Sequence, residues 1–143
     1  MMTPKVRKAL EKAGWSAKRQ IEIGEIKQEL ASRGFEVYSC VEEFLRSFGN
    51  LRIDYEILTR VGALPYHLHF EAVRASDFDI EEYYPDFVEM AGTHLCPVGG
   101  YDSDLIILMD SQGKFYSAHC DGFLWPLGDS PLEVINKVVM QTE

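Results

Sequence analysis

Long apolar runs are missing from this chain. None approaches the ~20 consecutive residues that a membrane-spanning helix needs. An export signal is missing too: "MMTPKVRKALEKAGW" is charged and has no apolar h-region. Cysteine is sparse. Cys40, Cys96 and Cys120 are odd in number and no two stand at C-x-x-C spacing, so they read as free thiols in a reducing, cytoplasmic setting. No G-x-S-x-G, H-E-x-x-H, G-x-x-x-x-G-K-[ST] or G-x-G-x-x-G occurs, which argues against the common hydrolase, zincin and nucleotide-binding designs. No internal repeat or low-complexity segment is visible.

Positive charge is what the second half lacks. Residues 1–60 carry 11 Lys and Arg against 9 Asp and Glu, whereas residues 61–143 carry 3 against 14; the net charge is −9. A nucleic-acid binder needs a basic footprint. No nucleic-acid or membrane partner is expected, and a basic protein partner fits better. Charge alone leaves the oligomeric state open.

What is present suits one soluble domain spanning 1–143, with 46% hydrophobic and 26% charged residues. Thr3-Pro4 reads as an N-cap followed by Pro at the first helical position, opening a helix with Val6, Leu10 and Ala13 on one face and Gly14 as its stop. Trp15, in the loop that follows, is expected to fold back onto the core. Ile23, Ile26 and Leu30 predict a helix over 24–33, with Gly34 past its end. Ser39 to Glu42 fits a capping box, opening a short helix through Val41, Phe44, Leu45 and Phe48 to Gly49.

The period then changes from 3.6 to 2. Leu51, Ile53, Tyr55 and Ile57 alternate with Arg52, Asp54 and Glu56, as in a half-buried strand. "LHFEAV" at 68–73 reads as a second strand, and "DIEEYYPDFVEMAG" as a short helical segment interrupted at Pro85. Strands follow near 93–98, 104–110 and 114–119, the last two joined as a hairpin with Asp110 bonding the turn. A second capping box, Ser130 to Glu133, opens a final helix with Leu132, Ile135, Val138 and Val139 inward. Segregated helices and strands predict an α+β fold: a mostly antiparallel sheet of about five or six strands, packed with N-terminal helices and a C-terminal helix.

"PVGGYDSD" at 97–104 opens a strand rather than a helix, so it reads as an irregular loop, not a phosphate cradle. His94 and Cys96 lack a second ligand pair, since adjacent His119 and Cys120 face opposite sides of a strand. His67 and His69 could share a strand face, but no third ligand is near in sequence. A reactive thiolate needs electropositive surroundings, which this half does not offer. No catalytic residue, metal or cofactor is therefore expected. A small metal-dependent hydrolase using His67, His69, His94 or His119 is the less favoured alternative.

The stretch that asks for a partner is "DFDIEEYYPDFVE", 77–89. Asp77, Asp79, Glu81, Glu82, Asp86 and Glu89 stand there with Phe78, Tyr83, Tyr84 and Phe87, and with no Lys or Arg. Aromatic anchors with an acidic rim suit a protein interface. The competing reading is a solvated helix face with its aromatics in the core.

Four segments, taken in order, resemble a known family: "KAGWSAKR", "LASRGFEVYSCVEEFLRSFGNLRI", "HLCPVGGYDSDLIILMDSQGKFYSAH" and "FLWPLGDSPLEVINKVV". The resemblance is to the third subfamily of the SUKH superfamily and covers about 15 to 140. Its most telling pieces are Gly14-Trp15-Ser16 with Arg19, Glu43-Phe44-Leu45 leading to Phe48-Gly49, Pro97-Val98-Gly99, Met109-Asp110 with Gly113 and Tyr116, and Leu127-Gly128-Asp129. Asn50 departs from the family, which commonly has a second Gly there, and the Pro97 loop carries an extra run, Tyr101-Asp102-Ser103-Asp104. The resemblance implies an α+β domain and a role as an immunity protein. Such proteins bind a cognate toxin domain, often a nuclease or deaminase, and block it without catalysis. An intracellular regulatory or scaffold role is the alternative, since SUKH domains also occur outside toxin systems. The surface expected to meet the toxin combines 77–89 with Tyr101, Asp102 and Asp104.

Overall fold

Thr3 does cap the first helix. In the computed structural model, which describes residues 2–77, 84–102, 105–119 and 122–140, its Oγ1 accepts the Val6 N–H at 3.2 Å. Helix α1 (Pro4–Ala13) buries Val6 and Leu10 and ends at Gly14. Helix α2 (Gly24–Ser32) buries Ile26 and Leu30. Helix α3 (Ser39–Phe48) buries Val41, Phe44, Leu45 and Phe48.

The first capping box is not formed. Tyr38 is the N-cap of α3 and makes no side-chain cap bond; Ser39 is already helical. Glu42 instead accepts from Lys27 at 2.9 Å and lies 3.4 Å from Arg46, so cross-helix pairing has taken the carboxylate that the box required. The second box does form, shifted by one residue. Ser130 Oγ accepts the Glu133 N–H at 3.2 Å, and Glu133 reaches back to the Asp129 N–H at 2.9 Å. It opens α6 (Pro131–Met140), which buries Val134, Ile135, Val138 and Val139.

Six antiparallel strands follow one another across a single sheet, in the order β1 to β6. They are β1 (Arg52–Thr59), β2 (Gly62–His69), β3 (Cys96–Tyr101), β4 (Leu105–Met109), β5 (Phe115–His119) and β6 (Leu124–Gly128). Helices α4 (Ala72–Ser76) and α5 (Tyr84–Ala91) lie between β2 and β3 in the chain. The α+β architecture with a mostly antiparallel sheet is as the sequence predicts; several boundaries are not. The strand expected over 68–73 is instead β2, ending at His69, and 72–76 is helical. Pro65 lies inside β2 opposite Glu56. Proline is admitted there because alternate residues of a strand turn their N–H away from the neighbour, so β1 loses no bond. Pro85 does not interrupt α5 but is its second residue, where the missing N–H costs nothing. The strand expected over 93–98 begins three residues later, and the loop expected over 97–104 is β3 through Tyr101.

Alternation along the strands divides the core in two. Ile53, Leu68, Val98, Ile107, Met109 and Phe115 join the residues buried by α1, α2, α3 and α6. Ile106, Leu108, Tyr116 and Ala118 face the other way, onto Ala75 of α4 and Phe87 of α5. Gly99 is required by a close approach: a Cβ there would lie 2.2 Å from the His69 carbonyl oxygen, so only glycine lets β3 come up against β2. Even so, β2 and β3 pair only at Leu68–Tyr101 and His69–Gly100.

Candidate functional site

Beyond those two pairs, β2 and β3 leave a cavity of about 420 Å³. One wall is Pro65, Tyr66, His67 and His69 of β2, with Arg52 beside them; the other includes Gly100, Tyr101, Asp102 and Leu105, and α4 supplies Arg74 and Ala75. Tyr101 and Asp102, two of the sequence-predicted interface residues, therefore stand on one wall. Asp77 follows α4.

Asp102 holds φ 52°, a left-handed conformation that Asp tolerates better than most residues. Its carboxylate accepts a hydrogen bond from the Tyr55 hydroxyl. Burial first, and then that bond, pushes the Tyr55 pKa upward. Tyr101 is 8% exposed and its hydroxyl meets Ser117 Oγ at 2.8 Å. It is a wall of the cavity and of the core rather than a projecting anchor. His69 Nδ1 accepts the Glu71 N–H at 3.2 Å. Burial, helped by Arg74, lowers the His69 pKa, so the ring is neutral at pH 7 and Nε2 is its N–H donor.

The acidic stretch is only partly within the described residues. Asp79, Glu81, Glu82, Tyr83 and Asp104 lie outside them, as do Phe78 and Cys120. Asp77 is exposed but pairs with Arg33, which also meets Glu29 at 3.0 Å. Asp86 and Glu89 are exposed on α5. The described aromatics turn inward. Phe87 is 1% exposed. The Tyr84 hydroxyl donates to the Leu95 carbonyl at 2.7 Å and accepts the Leu95 N–H at 3.2 Å, while its ring meets Phe35 edge-on. At α5, charge faces out and aromatic area faces in.

The histidines do not converge. His67 Nδ1 lies 2.6 Å from Asp54, His69 is bound as above, and His94 is exposed. Among the described residues, no three of His, Cys, Asp and Glu are placed to hold a metal ion. Burial pushes the Cys40 thiol up and the Cys96 thiol up to about 12, which disfavours the thiolate at both. Ser111 and Lys114 stand at S-x-x-K spacing, but the β4–β5 turn bends between them and Lys114 lies over the Tyr116 ring, 5.7 Å from its centre. Among the described residues, no helix is long and apolar enough to cross a membrane.

The motif residues are consumed by the scaffold. Trp15 stacks on Phe48 at 5.4 Å, and its Nε1 donates to Ser47 Oγ at 3.4 Å. Arg19 donates to the carbonyls of Ser47 and Gly49 at 2.7 and 2.8 Å, clamping the end of α3. Gly49 is tight: a Cβ would lie 2.4 Å from the Leu45 carbonyl oxygen. Asp110 accepts the Gln112 and Lys114 N–H groups at 2.8 and 3.0 Å and the Tyr116 hydroxyl at 3.0 Å, as its place in the hairpin predicts.

Fold and site together define an α+β protein whose motif residues build the frame. The model of the SUKH-3 immunity protein family matches residues 2–141, and the chain belongs to that family. No curated protein and no solved structure matches it.

Arg52, His69 and Arg74, which line the cavity, and Tyr55, which bonds Asp102 from the core, are the residues that sequence reasoning did not connect with Asp102. Tyr55 offered one signal: a tyrosine at an inward position needs a partner for its hydroxyl.

Proposed function

We propose that this chain, acting as a single domain in the cytoplasm, neutralises a cognate toxin domain by binding it, with no catalytic step of its own. Its membership of the SUKH-3 immunity protein family carries the reading. Charge supports the kind of toxin: a nuclease or a deaminase acting on nucleic acid presents basic groups where it holds phosphates. Fourteen acidic side chains against three basic ones after residue 60 would compete there and speed the encounter. The surface we assign comprises 77–89, where Asp86 and Glu89 are exposed, together with Asp104 and with Tyr101 and Asp102, which line the cavity.

The test is co-expression with the toxin domain encoded beside this chain, followed by calorimetry on the purified pair. Tight one-to-one binding that restores growth is expected. Changing Asp79→Asn, Glu82→Gln and Asp86→Asn together is expected to raise Kd at least tenfold, about 0.5 kcal/mol or more per steering charge. Unchanged affinity would place the contact elsewhere, and no binding at all would sink the immunity reading.

A further inference from the structure

Strand β1 is one edge of the sheet; α1 packs against the strand, and charged side chains stand on its exposed face. Its eight residues pair with β2 in an unbroken register from Arg52–His69 to Thr59–Gly62. The two-residue turn at Arg60-Val61 makes Thr59–Gly62 a hydrogen-bonded pair, and such pairs recur at every second residue. Ile53, Tyr55 and Ile57 therefore spend their backbone groups on β2. The Phe70 N–H bond to the Leu51 carbonyl, 2.9 Å, keeps the same phase. Arg52, Asp54, Glu56 and Leu58 turn theirs outward. Among the described residues, no backbone group bonds to them there. Unpaired strand groups of this kind are the template on which another strand adds. The side chains of the same four residues are exposed, Leu58 at 83%. The opposite edge differs. Strand β6 has five residues, a proline at 126 and a register slip against β5, three features that blunt an edge. Strand β1 has no proline, no bulge and no lysine.

We propose that the β1 edge is the pairing surface for a second copy of this chain, joined antiparallel about a two-fold axis at Asp54. Only registers that set even-numbered residues against even-numbered ones bring outward groups face to face. With Asp54 at the axis, Arg52 of each copy stands opposite Glu56 of the other, and Ile53 opposite Tyr55. The one like-charge meeting, Asp54 with its twin, is softened because each carboxylate lies 2.6 Å from its own His67 and 3.8 Å from its own Arg52. Centring on Tyr55 would instead oppose Asp54 to Glu56 twice. Centring on Glu56 would oppose it to its twin and Arg52 to Arg60. Centring on Ile53 would leave three residues of each strand in the ladder. Centring on Ile57 would leave Arg52 outside the ladder. The Tyr55 and Glu56 centres would pair seven residues of each strand against five with Asp54, so charge complementarity, not ladder length, selects the register. This assembly goes beyond the toxin-binding reading and stands without it.

Sedimentation of the full chain over a dilution series tests it. A reversible monomer–dimer equilibrium is expected. Arg52→Glu alone and Glu56→Arg alone each create two like-charge pairs across the axis and are expected to weaken the dimer on the order of tenfold. The double reversal is expected to restore it, with circular dichroism confirming that all four proteins are folded. A chain that stays monomeric at every concentration overturns the proposal. So does a dimer that ignores the single reversals, since its interface would lie elsewhere.

Discussion

Asn50 holds its backbone at φ 62° immediately after the clamped end of α3, and its N–H donates to the Phe70 carbonyl at 3.0 Å. The left-handed conformation costs an ordinary L-residue roughly 1–2 kcal/mol, glycine nothing, and asparagine less than most. That is the physical sense of finding Asn where the family resemblance implies a second glycine: both residues tolerate the same backbone. Asn50→Ala should lower unfolding stability by about 1 kcal/mol, while Asn50→Gly should leave it nearly unchanged. Urea midpoints for the two variants decide the matter, and equal losses in both would mean that the side chain, not the backbone angle, is what counts.

At the scale of elements, the α1–α2 connection is fastened to α3 by the Arg19 fork on two carbonyls, by Trp15 on Phe48 and Ser47, and by the Ile21 N–H on the Arg46 carbonyl at 2.9 Å. Arg19→Lys keeps the charge but cannot span both acceptors in one plane. A loss of about 1 kcal/mol is expected, with a change in Trp15 fluorescence before global unfolding. An unperturbed emission and midpoint would show that the Trp15 and Ile21 contacts hold the loop without the fork. Elements of this kind were the legible ones. Val6 and Leu10, or Phe44, Leu45 and Phe48, repeat at helical spacing because one face meets the core, and Asp110 with Gly113 marks a tight turn. Strand β2 was not legible. Its first five residues, 62–66, are largely exposed, so no alternation marks them, and Pro65 argues against a strand until its outward N–H position is known. Strand β3 failed for the opposite reason: it is buried on every residue, and its Gly99-Gly100 pair mimics a loop. The cavity was beyond reach because Tyr55 and Asp102 are 47 residues apart and meet only through the folded sheet.

For the molecule as a whole, tyrosine is the most telling titrating residue. Burial is the leading cause of the raised pKa at Tyr38, Tyr55, Tyr84 and Tyr101. At Tyr116, burial and then the bond to Asp110 push it up to about 12. These hydroxyls keep their protons in the folded state where the unfolded chain gives them up. Their stabilising effect is intact below pH ~10, the ordinary tyrosine value, and falls away above it. For Tyr116 the loss runs on until about 12. Absorbance titration near 295 nm should therefore show a steep late step that coincides with the loss of near-ultraviolet dichroism. A gradual ionisation centred near pH 10 in a protein that stays folded would contradict the burial of these rings. The blunted β6 edge has its own consequence at high concentration. A fibre of strands grows only from units that are adhesive at both ends, and Pro126 with its slipped register makes this unit adhesive at one. Whatever meets the β1 edge, strand addition to this sheet terminates after a single step instead of propagating.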